Sequence, residues 1–217
     1  MCPRQPDPRA RLQLVEAAAR ILSTEGRPAV TARRLAHEVG SSTQAVYTHF
    51  GGMDDLIAEI WREGFRRFGE ALDEPAFTDD TVADWIEQSW SYRRFALQDS
   101  HLYRVMFTDG LIALGEGADD EAGTAASTFL SLLRRIERCR DAGRWDVEDL
   151  ATAGEYLWAV IHGHVVIELT GYFTSVGRDA ERTLTESITR TGLGMGDQPA
   201  LLAASLRTAR RRIRRAA

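Results

Sequence analysis

The sequence predicts an all-α protein, with a three-helix head that contains a helix-turn-helix motif and a larger helical body. Three observations favour this fold class. Apolar residues recur at helical spacing along most of the 217-residue chain, no segment shows strand-like alternation, and glycine or proline separates the periodic segments. We expect residues 1–52 to form the head and residues 53–217 to form the body.

The head begins with a predicted helix from about Arg9 to Thr24, which a following glycine and proline end. Before it, residues 1–8 hold three prolines, which favours an arm without regular structure. We expect the arm, with Arg4, either to reach DNA or to be a solubilising tail.

The stretch Thr31–Phe50, TARRLAHEVGSSTQAVYTHF, predicts two short helices joined by a tight turn. Thr31 and Ser42 are suitable N-caps, because their hydroxyls can accept a free backbone N–H of the first turn. Gly40 is expected to end the first helix, since glycine enters the left-handed conformation at little cost.

The second of these helices has more outward polar positions than packing requires. Val46 and Phe50 form its apolar face, and the other side chains suit the edges of bases and the phosphates of DNA. The residues expected to face bases are Thr43, Gln44, Ala45 and Thr48. The residues expected to hold mostly phosphates are Thr31, Arg33, Arg34, Tyr47 and His49. Ser42 is also expected to belong to the DNA-binding surface.

The run VTARRLAHEVGSSTQAVYTHFGGMDDL resembles the DNA-binding domain of TetR-type bacterial transcription regulators. The matching features are the small residues of the first helix of the helix-turn-helix, the Gly40–Ser42 turn and the Tyr-x-His-Phe ending at Tyr47–Phe50. The family usually places a lysine three residues after this phenylalanine to hold a phosphate, whereas this sequence has Met53. The resemblance implies a cytoplasmic homodimer, a repressor released from a palindromic DNA operator by a small apolar or aromatic effector.

The formal net charge of −5 is unevenly distributed, and all 27 basic residues are arginine. Residues 1–50 carry +3 and residues 207–217 carry +6, which leaves −14 for residues 51–206. A basic head on an acidic body attracts phosphate at one end and repels it elsewhere. A charge run by itself more often marks a solvated face, but here it coincides with the helix-turn-helix.

The body is expected to be helical throughout, and its first helix is expected to bridge head and body. The predicted helices run from about Met53 to Leu72, Thr81 to Gln98, His101 to Phe107, Ala125 to Asp141, Glu148 to Tyr172, Asp179 to Thr191 and from Pro199 onward, with an acidic, glycine-rich loop at Asp109–Gly123.

The segments HLYRVMF and LWAVIHGHVVIEL resemble the ligand-binding half of one TetR subclass, which is named for its Trp, His and Gly, here Trp158, His162 and Gly163. The resemblance implies a dimer bundle built from the helices near residues 148–172 and 179–191. A glycine fits such a bundle because it lets a partner helix approach closely. The predicted dimer residues are Trp158, Ile161, Val165, Leu169, Leu184 and Ile188.

Aromatic residues at helical spacing are usually core, but a set spread over several helices can also wall an apolar cavity with a few polar guides. The resemblance implies such an effector pocket. The predicted pocket residues are Trp61, Phe65, Trp85, Ser89, Tyr92, Phe107, Phe129, Trp158 and His162.

His164 and Glu168 lie one helical turn apart and, with His162, are candidate metal ligands. His162 and His164 fall on roughly opposite sides of a helix, however, which favours a hydrogen-bonded core histidine. No His-Glu-x-x-His motif or nucleophile elbow is present, so we expect no metal, no cofactor and no enzymatic activity. The competing hypothesis is a small-molecule-binding or enzymatic helical bundle whose basic head is incidental.

The most apolar run, Leu157–Leu169, is too short to span a bilayer, so no membrane association is expected. Cys2 and Cys139 do not form a disulfide framework, which is typical of a reducing cytoplasm.

The C-terminal segment Arg207–Arg215 holds six arginines and no acidic residue. It can form a helix with a thin apolar stripe. Three interpretations compete: an arm that returns to DNA, a strap on the acidic body, or a solvated end. Because this segment lies at the opposite end of the sequence from the head, a strap or a solvated end is favoured.

Overall fold

A computed structural model describes residues 8–109 and 119–216. The first range contains helices α1 (Pro8–Glu25), α2 (Ala32–Glu38), α3 (Thr43–Phe50), α4 (Met53–Asp73), α5 (Thr81–Gln98) and α6 (Ser100–Arg104). The second contains α7 (Asp119–Asp141), α8 (Leu150–Leu169), α9 (Tyr172–Ser175), α10 (Ala180–Gly194) and α11 (Pro199–Ala216). No strand occurs in these two ranges, which confirms the all-α fold class.

The helices form two compact units, one within Met1–Arg67 and Asp99–Thr124, the other within Phe68–Gln98 and Ala125–Ala217. Helix α4 therefore contributes residues to both units. The predicted boundary between residues 52 and 53 is a functional division, which this clustering does not test, and it stays a prediction.

The first unit is built around an apolar core shared by α1–α4. Its most deeply buried members include Leu14, Leu35, Val46 and Leu56. Leu102 of α6 and Val105 belong to the same core. The helix-turn-helix therefore packs against residues far along the chain as well as against α4.

After α6 the chain continues as a π-helical turn, Val105–Asp109, so the single α-helix predicted for His101–Phe107 is wrong in its second half. The Trp61 indole N–H donates to the Met106 carbonyl at 3.3 Å, which gives that carbonyl a side-chain partner. The Met106 side chain lies against Gly64, where a Cβ atom would be 2.7 Å from its sulfur. The π-helical turn is therefore packed closely against α4.

Two other predicted boundaries are also wrong. Helix α7 begins at Asp119 rather than near Ala125, and the rest of the predicted loop at Asp109–Gly123 lies largely outside the described residues. Helix α8 ends at Leu169 rather than at Tyr172, because Gly171 adopts a left-handed φ of 78° that breaks the helix.

The second unit encloses an arginine. The side chain of Arg135 on α7 is almost fully buried. Its guanidinium donates to the carbonyls of Pro75 at 2.7 Å and of Leu72 and Asp84 at 3.3 Å. These hydrogen bonds explain how a cation is accommodated, since an unpartnered buried charge is costly. They also satisfy a carbonyl at the C-terminal end of α4.

The C-terminal helix α11 is tied to α5 by Arg212. Its guanidinium donates to Asp84 Oδ1 at 3.0 Å, to Glu87 Oε1 at 2.7 Å and to the Thr78 hydroxyl at 3.1 Å. This is the contact expected of a strap on the acidic body, although Arg207, like most arginines of the segment, is exposed.

No helix in the described ranges is both long and apolar enough to cross a membrane. The predicted N-terminal arm, with Arg4, and the residue Cys2 lie outside the described residues.

Candidate DNA interface and effector pocket

The two short helices α2 and α3 begin at the predicted caps. The Thr31 hydroxyl accepts the Arg34 backbone N–H at 3.3 Å, and the Ser42 hydroxyl accepts the Ala45 N–H at 3.1 Å. Gly40 has a φ of 64°, as the turn between the helices requires. Each capping hydroxyl keeps its proton, so it can still donate to a phosphate oxygen.

The surface of α3 is divided as predicted between a buried and an open side. Val46 and Phe50 are buried, whereas Thr43 and Gln44 are exposed and Tyr47 is 49% exposed. The open side therefore carries hydroxyl, amide and phenol groups that the packing of the head does not use.

Three other predicted residues of α3 are more constrained. The Thr48 hydroxyl donates to the Gln44 carbonyl at 2.8 Å, so it presents its methyl group and its lone pairs. Ala45 is half-buried. His49 is half-buried as well, and its Nδ1 atom is enclosed without a hydrogen-bond partner among the described residues.

The two adjacent arginines of α2 differ in their partners. Arg34 donates to both carboxylate oxygens of Glu25 at 2.7 Å. Arg33 is exposed and forms no ion pair with any described residue. Arg33 can therefore bind a phosphate without first giving up an ion pair. The sequence did not reveal this difference, because the two arginines are adjacent and look equivalent in it.

The start of α4 departs from the family pattern beyond the missing lysine. A helix N-terminus ordinarily favours a phosphate, but the first turn after Met53 carries Asp54 and Asp55. Asp54 forms an ion pair with Arg27, and both side chains remain largely exposed. These carboxylates oppose an anion at this helix end.

A polar link within the first unit was not predicted. The Ser23 hydroxyl lies 2.8 Å from Nδ1 of His101, which joins α1 to α6. Burial, with smaller contributions from Arg104 and Arg20, lowers the pKa of His101 below its ordinary value. The imidazole is therefore neutral near pH 7 and suited to this contact.

Four of the predicted pocket residues lie together in the second unit. The Tyr92 hydroxyl is 2.9 Å from His162 Nδ1, and burial lowers the pKa of His162. The ring centroids of His162 and Trp158 are 5.5 Å apart, and those of Trp158 and Phe129 are 6.5 Å apart. This grouping supplies an aromatic wall with one tyrosine–histidine pair.

The other predicted pocket residues fall into two groups. Trp61, Phe65 and Phe107 lie in the first unit, with Trp61 and Phe65 centroids 4.3 Å apart and Phe65 and Phe107 centroids 5.6 Å apart. Trp85 packs edge-on against Trp145, also in the second unit, at 5.0 Å. The Ser89 hydroxyl donates to the Trp85 carbonyl at 3.0 Å. A single pocket lined by all nine residues stays a prediction.

The candidate metal ligands have other partners. Glu168 accepts two hydrogen bonds from Arg93, at 2.7 and 2.8 Å, and lies 3.5 Å from Nε2 of His164. His162 bonds to Tyr92 instead. The described residues contain no group of three or more His, Cys, Asp or Glu side chains arranged to hold a metal ion.

The residues predicted for the dimer surface differ in their exposure in the single chain. Ile161, Val165, Leu184 and Ile188 are at most 5% exposed in the single chain. These four side chains pack into the core of the single chain, which leaves little of their surface for a partner. Their place in a dimer surface stays a prediction. Trp158, at 39% exposed, remains at the surface, and Leu169 is half-buried.

Two family models match the chain. The model of bacterial regulatory proteins of the tetR family matches residues 14–60, which include α2 and α3. The model of the tetracyclin repressor-like C-terminal domain matches residues 85–191.

Among curated relatives, the HTH-type transcriptional regulator BetI of Brucella anthropi is 32% identical over 94 residues, 42% of this chain. The match spans 48% of that relative, so the chain spans about half the length of the BetI proteins it matches. An uncharacterised HTH-type transcriptional regulator of Mycobacterium tuberculosis is 25% identical over 198 residues, 86% of this chain and 81% of the relative.

Solved structures show the same fold. A bacterial regulatory protein in the tetR family from Rhodococcus superposes with a TM-score of 0.73 at 21% identity, over 88% of this chain and 100% of that chain. The TetR family transcriptional regulator PfmR from Thermus thermophilus gives 0.63 at 19% identity, over 70% and 84% of the two chains. With both family models matched and the predicted helix-turn-helix in place, the chain belongs to the TetR family of bacterial regulatory proteins.

Proposed function

We propose that the protein is a homodimeric transcriptional repressor that binds a pseudo-palindromic operator on chromosomal DNA in the cytoplasm and is released by a small apolar or aromatic effector. The observation that carries the proposal is the open side of α3, where Thr43, Gln44 and Tyr47 are exposed beside the buried Val46. Residues 1–52 supply the DNA-binding function, and residues 53–217 supply effector binding and dimerisation.

In this proposal α3 enters the major groove. Gln44 reads a base by a bidentate contact, for which adenine is the matching partner. Thr43, Ala45 and the Thr48 methyl group lie at neighbouring base edges. Two copies of α3 contact half-sites about one helical turn apart, roughly 34–36 Å.

Around α3, several groups hold the DNA backbone. Arg33 contributes a full unpaired positive charge, whereas Arg34 must exchange or share its bidentate contact with Glu25. The Thr31 and Ser42 hydroxyls donate hydrogen bonds to phosphate oxygens. Tyr47 and His49 contribute further phosphate contacts.

We propose the exposed apolar side of α8 as the dimer surface. Tyr156, Val166 and Ile167 are 51%, 42% and 45% exposed. Ala159 is also exposed, and a Cβ atom at Gly163 would meet no described atom within 4 Å. This open glycine is supporting evidence, because it leaves room for a second helix.

The dimer surface can be tested with Val166→Arg, which places a charge on the exposed side of α8. We expect light scattering to show a monomer with unchanged helical content. The matched control is Leu130→Arg, because Leu130 is a 53% exposed leucine on α7. If Val166→Arg remains a dimer, the proposed surface is wrong.

The effector pocket is proposed around Tyr92, Phe129, Trp158 and His162, where one hydrogen-bonding pair lies beside aromatic rings. An effector that binds here can shift operator affinity only through its different affinities for the DNA-bound and released states. Helix α4 is the proposed route between effector and operator, because it is continuous from Met53 to Asp73 and contributes to both units.

The proposal is tested by binding to the DNA upstream of the protein's own gene, measured by gel shift at several salt concentrations with random DNA as control. We expect preferential binding, protection of two half-sites one helical turn apart, and steep weakening with salt. Failure to bind with any preference would favour the competing hypothesis, a small-molecule-binding helical bundle with an incidental basic head.

A further inference from the structure

The second unit contains a cleft of about 770 Å³ between α5, the beginning of α10 and α11. Its volume falls within the range of roughly 300–1,000 Å³ that is typical of small-molecule sites. None of the residues predicted for the effector pocket lines it. The cleft is therefore a separate feature that the proposed regulatory function does not use.

The rim of the cleft carries an excess of unpaired positive charge. Arg207, Arg210 and Arg214 lie at positions i, i+3 and i+7, so they share one side of α11, and Arg182 of α10 also lines the cleft. These four arginines are exposed, and none forms an ion pair with a described residue.

None of the acidic residues that line the cleft forms an ion pair with these four arginines, and each has another hydrogen-bond partner. Asp179 caps α10 by accepting two backbone N–H groups. Glu181 lies 3.3 Å from Arg93, and Glu186 accepts from Arg190 at 2.7 Å. Arg93 is itself held by Glu168. The four unpaired guanidinium groups therefore remain available for an outside anion.

The floor between these groups is apolar. Its apolar lining consists of the half-buried Leu206 and Ile213 of α11, with the half-buried Trp90, the 38% exposed Leu97 and the buried Ile86 of α5. The guanidinium of Arg93 lies 5.5 Å from the Trp90 ring centroid and so occupies one face of that ring. The other apolar side chains of the lining are aliphatic. A hydrocarbon chain that covers them removes apolar surface from water, which favours binding.

We propose that this cleft binds an anionic amphiphile, an aliphatic chain that ends in a phosphate or carboxylate group. The head group is held by Arg182, Arg207, Arg210 and Arg214, because guanidinium matches both anions bidentately. The chain lies along the apolar floor. Duplex DNA fits less well, since its phosphates would leave this floor uncovered.

The test is calorimetric titration of the full-length protein with dodecyl phosphate below its critical micelle concentration. We expect saturable binding that tightens roughly three- to fourfold for each methylene along the octyl, decyl and dodecyl series. Dodecyl maltoside tests the chain without the charge, and inorganic phosphate tests the charge without the chain. Both are expected to bind at least tenfold more weakly.

The double variant Arg207→Gln/Arg210→Gln removes two rim charges from exposed positions. We expect it to weaken dodecyl phosphate binding at least tenfold. The control, Arg211→Gln/Arg215→Gln, removes the same charge from arginines of α11 that do not line the cleft, and its affinity should stay within twofold. Leu97→Gln should flatten the dependence on chain length.

Three outcomes would overturn the proposal: no binding of the monomeric amphiphile, equal binding of the maltoside, or equal effects of the two double variants. A fourth concerns the source of the anion. Binding to phosphatidylglycerol vesicles without binding to monomeric dodecyl phosphate would replace a ligand cleft with a membrane-facing surface. None of these measurements requires operator DNA, so they remain informative if the proposed regulatory function fails.

Discussion

The attachment of α11 to α5 makes a quantitative prediction for Arg212→Met. Methionine keeps much of the aliphatic stem and removes the hydrogen bonds to Asp84, Glu87 and the Thr78 hydroxyl. Asp84 is the critical partner, because its side chain is only 1% exposed. The variant therefore leaves a buried carboxylate with fewer donors.

The expected cost is about 1–3 kcal/mol in the free energy of unfolding. Hydrogen bonds to charged groups contribute about 1.5–3 kcal/mol, while exposed ion pairs contribute at most about 1 kcal/mol. Arg212 lies between these cases, since its side chain is 32% exposed. Asp84 also keeps the Thr78 N–H at 2.6 Å and hydroxyl at 2.7 Å, and Arg138 lies 3.8 Å away.

Urea unfolding followed by circular dichroism measures this cost. Arg211→Met is the control, because Arg211 is exposed and its one hydrogen bond to a described side chain is to Thr208 on its own helix. We expect a change within about 0.5 kcal/mol. The double variant Arg212→Met/Glu87→Gln should lose less unfolding free energy than the sum of the losses of the two single variants, because the two side chains contact each other. Equal stabilities of Arg212→Met and Arg211→Met would refute the assignment of Arg212 as the strap.

Three further predictions follow from packing and burial. Gly64→Ala should lower the unfolding free energy by about 1–3 kcal/mol, because its Cβ atom would lie 2.7 Å from the Met106 sulfur. Gly69→Ala on the same helix meets its nearest atom at 3.7 Å, so urea titration should show no loss and up to about 1 kcal/mol of gain; a loss there equal to that of Gly64→Ala would contradict the packing argument. Burial raises the pKa of Cys139 to about 12, so iodoacetamide should label it only after unfolding; peptide mapping distinguishes this site from Cys2, and labelling of Cys139 in the native protein would show an open core. Burial also lowers the pKa of three histidines below the ordinary value of 6.5, namely His101, His162 and His164. The unfolded chain then binds more protons below about pH 6.5, so stability should be fully present above that pH and fall as the pH decreases toward 5, whereas a pH-independent midpoint of urea unfolding would contradict it.

The sequence was most informative where local chemistry decides the structure. Thr31, Gly40 and Ser42 were identified correctly because a cap or a left-handed turn depends on a few adjacent residues. The buried side of α3 followed from Val46 and Phe50 for the same reason. The open side could therefore be predicted as the candidate DNA interface.

Long-range pairing could not be predicted in the same way. Arg33 and Arg34 are equivalent in the sequence, and only the position of Glu25 distinguishes them. The apolar pattern of α8 does not distinguish a stripe that faces the core of the single chain from one that faces a partner. Val165, predicted for the dimer surface, is fully buried in the single chain. A charge at Val165 would test folding rather than dimerisation.

The most direct test of DNA recognition compares Gln44→Ala with Arg33→Ala on operator and random DNA across a range of salt concentrations. We expect Gln44→Ala to cost about 1–3 kcal/mol on the operator, with little loss on random DNA and an unchanged salt slope. Arg33→Ala, like Tyr47→Ala, should weaken binding to both DNAs, and the loss of the arginine should reduce the slope of log K against log salt by about 0.9. Equal losses from Gln44→Ala and Arg33→Ala on both DNAs would contradict the role of α3 as the helix that recognises the operator sequence.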